Sequence, residues 1–153
     1  MSISLDGRGW ELTRIAVIAV LGVGIANGQR YTETKLVSNV EGVAANTDVR
    51  LVNPWGLSRG SGTPWWVSDA GTGLSTLYNA AGVAQAIVVA VPGGAPTGTV
   101  FNGTTDFEIA PGRAARFLFA SEDGTISGWN SAVDPANGDS DPGRCSTISI
   151  PDT

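Results

Sequence analysis

Between Asn53 and Asn79 three short apolar runs, Trp55 to Leu57, Trp65 to Val67 and Leu74 to Tyr78, are separated by Gly, Ser, Pro, Asp and Thr. That punctuation belongs to a meander of antiparallel strands, and it is the strongest constraint in the chain. The pattern then returns. Pro96-Thr-Gly-Thr-Val-Phe101 matches Pro54-Trp-Gly-Leu57, and Phe117 to Asn130 matches Trp65 to Asn79. Pro54 recurs 42 positions on as Pro96, whereas Tyr78 recurs 51 positions on as Trp129, so the later copy carries an insertion, most simply Asn102 to Pro111.

Periods of about 40 to 50 residues with four short strands each are those of propeller blades, and the Gly and β-branched content excludes helical repeats. The first blade is expected over 53–91, with Trp55 to Leu57 as inner strand, then Trp65 to Ser68, Ser75 to Tyr78 and Ala84 to Val91. Pro92 to Pro96 links it to a second blade over 97–150. There Thr99 to Phe101, Arg116 to Ala120, Thr125 to Trp129 and Ser146 to Ile150 are the strands, with a surface loop from Asn130 to Arg144. Residues 29–52 lead in, Thr34 to Val40 as a strand and Glu41 to Asp48 as a loop.

Residues 1–28 have the form of a signal peptide. Arg8 and Arg14 precede an apolar run from Ile15 to Ala26, and Ala26 and Gly28 supply the small residues of a cleavage site. As a helix the run spans about 18 Å, short of the roughly 30 Å hydrocarbon core that an anchor must cross. Asp6 and Glu11 offset the two arginines, which leaves a buried or interfacial helix as the alternative. The expected address is secreted, periplasmic or at the cell surface.

Composition narrows the chemistry. The net charge of −5 argues against a nucleic-acid partner, which would need a basic face to displace phosphate counterions. Cys145 is the single cysteine and has no internal partner for a disulfide; an incidental loop thiol is the simplest reading. Histidine is absent, which removes Ser-His-Asp and Cys-His nucleophilic systems, His-ligated zinc and an imidazole base together. Carboxylates, two tyrosines, hydroxyls and backbone remain.

Trp65, Trp66 and Trp129 are the candidate ligand-binding residues, as stacking surfaces for a sugar or peptide. Aromatics at fixed places in each blade more commonly pack neighbouring sheets. Trp65 and Trp66 are adjacent and must point to opposite sides of a strand, so one of them is the better binding candidate. The acidic tract Asp134-Pro-Ala-Asn-Gly-Asp-Ser-Asp141 has oxygen ligands at loop spacing, yet lacks the Gly at the sixth position and Glu at the twelfth of an EF-hand loop.

Asn53-Pro-Trp-Gly-Leu57, Trp66-Val-Ser-Asp69 and Gly73-Leu-Ser-Thr-Leu-Tyr-Asn79 resemble the NHL repeat of six-bladed β-propellers. With Leu36 to Asp48 and Ala120 to Asn130 added, residues 35 to 135 resemble an uncharacterised family of exported bacterial propeller proteins. The resemblance implies an all-β fold: about two four-stranded antiparallel blades of a six-bladed ring, following an N-terminal apolar helix. It brings no catalytic residues. In six-bladed propellers that hydrolyse lactones, carboxylates over the central channel hold a divalent cation. By that analogy Asp69, Glu122 and Asp123, which follow the second strand of each blade, are candidate calcium ligands, against the commoner role of Asp as a turn residue.

Two functions are therefore expected as alternatives. The favoured one is a non-enzymatic module, without a cofactor, for an extracytoplasmic protein, glycan or small molecule. The other is a metal-dependent, lactonase-like hydrolase or lyase. Two blades fall short of the four or so that close a ring, so a fragment of a longer propeller, or self-association through exposed blade faces, is also expected.

Overall fold

The computed structural model describes residues 31–134 and 143–147. Contacts divide the chain into residues 1–33 and 34–153. The expected signal segment, residues 135–141 of the acidic tract, and 148–150 of the last expected strand lie outside the described residues.

All regular structure among the described residues is β. β1 (Val37–Ser38) and β2 (Asn46–Thr47) form a two-residue parallel pair. The strand expected over Thr34 to Val40 is thus only two residues long, and its partner sits inside the expected loop. Local chemistry explains the shortening. The Ser38 hydroxyl accepts the Val40 amide at 3.0 Å and bends the chain, Gly42 turns it at a φ of 77°, and Leu36 and Val40 stay exposed.

β3 (Pro54–Ser58), β4 (Trp65–Asp69), β5 (Leu74–Tyr78) and β6 (Ala84–Ala90) then run as an antiparallel meander. β7 (Pro96–Phe101) opens the second sheet. A small hairpin, β8 (Glu108–Ala110) and β9 (Arg113–Ala114), stands where the insertion was expected. Asn102 fixes its base, donating to the Ala115 and Asp106 carbonyls at 2.9 Å each. β10 (Phe117–Ser121) and β11 (Ile126–Trp129) complete the antiparallel core of the second sheet.

The two sheets repeat each other in register. Pro54 opposes Asp69 as Pro96 opposes Ser121, and both pairs sit at the same irregularity. Leu57 opposes Val67 as Thr99 opposes Phe119, and Trp65 opposes Tyr78 as Phe117 opposes Trp129. Asn79 accepts the Ala81 amide as Asn130 accepts the Ala132 amide, at 2.9 Å in each case.

Side chains alternate across a strand, so this register decides which faces meet. The first sheet turns Gly56, Trp66, Ser68 and Leu77 toward the second, which answers with Phe101, Phe117, Phe119 and Trp129. Trp66 stacks on Phe117 at 4.1 Å between centroids and lies 4.8 Å from Trp129. Phe117 is the counterpart of Trp65, not of Trp66. Opposite faces of one repeated unit are therefore in contact, and the sheets stack head to tail. Burying each of these rings contributes roughly 1.5–3 kcal/mol. The inner strands come closer still: Ser58 Oγ accepts the Phe101 amide at 3.0 Å, and a Cβ on Gly56 would lie 2.7 Å from the Thr99 nitrogen.

Residues 143–147 tie the two sheets. β12 (Gly143–Arg144) runs parallel to β6, and β13 (Ser146–Thr147) antiparallel to β11, so the expected loop to Arg144 ends in a strand. Between them Cys145 enters the core with Trp66, Leu77 and Val89. It is not a loop thiol, and burial pushes it up to about 12, which makes it unreactive at neutral pH.

Candidate functional site

The alternation that sends Trp66 and Ser68 inward leaves Trp65, Val67 and Asp69 of β4, with Thr76 and Tyr78 of β5, on the first sheet's other face. A polar group closes over part of it. Asp48, just beyond β2, accepts the Tyr78 hydroxyl at 3.1 Å and a bidentate pair from Arg50 Nε and Nη2 at 2.9 Å each. Burial alone would raise the Asp48 carboxyl, but the hydrogen bonds and charge of Arg50, with the Tyr78 hydroxyl, hold it below the usual carboxylate range. Tyr78 itself is driven upward, chiefly by burial, and remains a neutral phenol.

Asp69 is 0% exposed. Its Oδ2 accepts the Thr76 hydroxyl at 2.7 Å, and its Oδ1 has no partner among the described residues. Burial raises this carboxyl to about 7 against the opposing Thr76 hydrogen bond, and the nearby Asp48 charge adds to the rise. Such a group stores a proton near neutral pH, but a substrate cannot reach it.

The three carboxylates singled out from the sequence are not brought together. Ser121 stands in the second sheet where Asp69 stands in the first; Glu122 and Asp123 follow it in an exposed turn. Asp123 Oδ1 accepts the Thr125 amide at 2.9 Å, a bond that lowers its carboxyl and makes it a turn residue. Glu122 is held through its amide, which donates to the Ala95 carbonyl. Among the described residues no group of three or more His, Cys, Asp or Glu could hold a metal ion.

The adjacent tryptophans do point apart. Trp66 and Trp129 close on each other between the sheets, whereas Trp65 is half-buried on the other face with the Arg59 guanidinium 5.2 Å above its ring. Trp65 is the one of the three that keeps an accessible side.

Two surfaces escaped sequence reasoning. A groove of about 620 Å³ lies between the β8–β9 hairpin and the end of β11, lined by Thr104, Glu108, Arg113, Arg116, Asn130 and Ser131. Phe101 supports one wall, with the Arg116 guanidinium 5.5 Å above its ring. The second is an apolar groove of about 330 Å³ on the open face of the second sheet, over Gly98, Val100, Leu118, Ala120 and Ile126. The insertion length was a readable signal for the first; nothing local marks the second, because only the stacking order leaves that face bare.

No protein-family model matches the chain, and no solved structure does. It is 36% identical over 108 residues to the uncharacterized protein R648 of Acanthamoeba polyphaga mimivirus, a match covering 65% of this chain. The chain spans about a quarter, 27%, of that viral relative. The described residues are all-β, with two register-matched sheets built on antiparallel meanders, and the chain is similar in sequence to part of a longer viral protein.

Proposed function

We propose that the chain is part of a β-propeller of NHL-like blades, acting outside the cytoplasm as a non-enzymatic binding module. The observation that carries the non-enzymatic reading is the state of its carboxylates. Asp48 is neutralised by Arg50, Asp69 is sealed beneath the sheet surface, and Asp123 is engaged by its own turn. None of these three faces an open cleft, and Glu108, which does line the groove beside the β8–β9 hairpin, has arginines next to it and no second carboxylate in the lining for acid–base work. The head-to-tail stacking supports the propeller reading, since such a contact propagates from sheet to sheet.

The ligand surface is the groove beside the β8–β9 hairpin. Its two arginines outnumber the single carboxylate, Glu108, and with the hydroxyls and amide suit a glycan or small molecule bearing a carboxylate, with the guanidinium groups as forked donors. Calcium titration followed by tryptophan fluorescence and melting temperature tests the reading. No shift is expected at millimolar calcium. A metal held by the native state would raise the melting point as RT ln(1 + [L]/Kd), and such a rise would favour the metal-dependent hydrolase instead. Titration with uronic-acid oligosaccharides should show binding that Arg113→Ala and Arg116→Ala each weaken about tenfold, as loss of one charge-assisted pair implies.

A further inference from the structure

We propose that the open face of the second sheet docks the first sheet of another copy of this chain, head to tail. The molecule already contains one such contact, and the register shows where its two unmatched halves lie. In the internal contact Gly56, Trp66, Ser68 and Leu77 receive Thr99, Phe101, Phe117 and Phe119. The counterparts of the receiving residues on the second sheet are Gly98, Leu118, Ala120 and Gly128. Gly98, Leu118 and Ala120, with Val100 and Ile126, line the apolar groove, and Val100 is 53% exposed, whereas Gly128 is buried beside it.

The counterparts of the inserting residues are on the first sheet. Leu57 stands for Thr99, Arg59 for Phe101 and Trp65 for Phe117. Leu57 is 62% exposed, and Trp55 beside it 65%. The rest of that face, Val67 and Tyr78, is buried, with Asp48 on the Tyr78 hydroxyl. A second copy therefore docks through the Leu57–Trp65 half, placing Trp65 over Leu118 as Phe117 lies over Trp66. Both halves belong to every copy, so a second copy is the occupant for which this chain supplies both complementary surfaces. The inference rests on the stacking of the repeats and is independent of any ligand; a calcium response would leave it standing.

Different faces meet in this contact, so it cannot close as a two-fold dimer and propagates into rings or filaments. Sedimentation of the full chain should show mass rising past the dimer as concentration increases. Leu118→Arg and Trp65→Arg should each abolish that rise. Mixed together they should form a 1:1 heterodimer and stop, because each retains the half that the other has lost. Gly98→Ala should weaken association at least tenfold without lowering the melting temperature of the dilute monomer, since its Cβ meets only Ala120 Cβ at 3.7 Å within the chain. Three results would overturn the proposal: a wild-type monomer at every concentration, which leaves the groove to a different partner; association unchanged in both arginine variants, as contacts through other residues would give; or variants that fail to pair when mixed, as a symmetric contact would require.

Discussion

The first and second sheets share a register but have opposite outer faces. Beyond the first sheet, Asp48 and Arg50 close over Tyr78, and Asp69 and Thr76 lie buried beneath the surface. Beyond the second, Val100, Leu118 and Ile126 line a bare apolar groove. The same strand pattern thus supports a polar closure on one sheet and a docking surface on the other. The difference comes from what the chain lays on each face, and equivalent positions should respond very differently to the same substitution.

The largest contrast is between Trp66 and its counterpart Leu118. Trp66→Ala removes the ring on which Phe117 and Trp129 pack and should cost about 3–5 kcal/mol. Leu118→Ala, half-buried on the outer face of the dilute monomer, should cost less, about 1–2 kcal/mol, because part of its surface stays in water after folding and no facing layer is left with a cavity. Urea melts of the two variants measure the contrast, and equal costs would mean that the second sheet's outer face is covered.

Protonation separates the sheets next. A carboxyl raised from 3.8 in the unfolded chain to about 7 in the folded one binds its proton more tightly when folded. The folded state is therefore favoured below both values and loses that advantage as pH rises from about 4 to about 7, by about 4 kcal/mol in all. Asp48, held low, works in the opposite sense: its contribution is present above the usual carboxylate range and is lost as pH falls through its depressed folded value. Asp69→Asn should flatten the decline between pH 4 and 7 while leaving acid unfolding in place. Ser121→Ala, at the matching position of the second sheet, should leave the pH profile unchanged. Stability measured across that range decides, and a persistent slope in Asp69→Asn would assign it to another group.

The smallest effect compares two glycines. Gly56→Ala drives a Cβ to 2.7 Å from the Thr99 backbone, where the atom it meets cannot rotate away, and should cost about 1–3 kcal/mol. Gly98→Ala finds ordinary contact at 3.7 Å and should be neutral or stabilising by up to about 1 kcal/mol, through the lower entropy of the unfolded chain. Thermal melts resolve the pair.

Much of this architecture was readable from local pattern. The runs at Trp55, Trp65 and Leu74 and their counterparts at Thr99, Phe117 and Ile126 became strands because turn residues bound them on each side. The 42-residue recurrence holds from β3 to β7 and the 51-residue one from β5 to β11, whereas β4 and β10 correspond 52 positions apart because the turn after β10 is one residue shorter. The failures were long-range. Thr34 to Val40 alternates like a strand but pairs over two residues only, beside the turn at Gly82, and Cys145 looked incidental because its burial comes from sheets contributed by other parts of the chain. Asp69, Glu122 and Asp123 all fall near the end of a second strand, yet one is sealed and the others solvated. The Asp48–Tyr78 contact joins residues 30 positions apart, and no spacing rule announces it.

The sequence by itself determined the strand class, the repeat and its register, because turn chemistry and side-chain alternation act over a few residues and leave a periodic trace. The lack of histidine also keeps imidazole chemistry out of these 153 residues. Only the tertiary structure decided which face of each sheet is covered. Trp65 and Trp66 are neighbours of one type, and their fates diverged because the second sheet settled on one side of β4 and not on the other. Burial, and with it the proton on Asp69 and the bareness of the groove at Leu118, depends on atoms brought from distant parts of the chain, which local pattern does not encode.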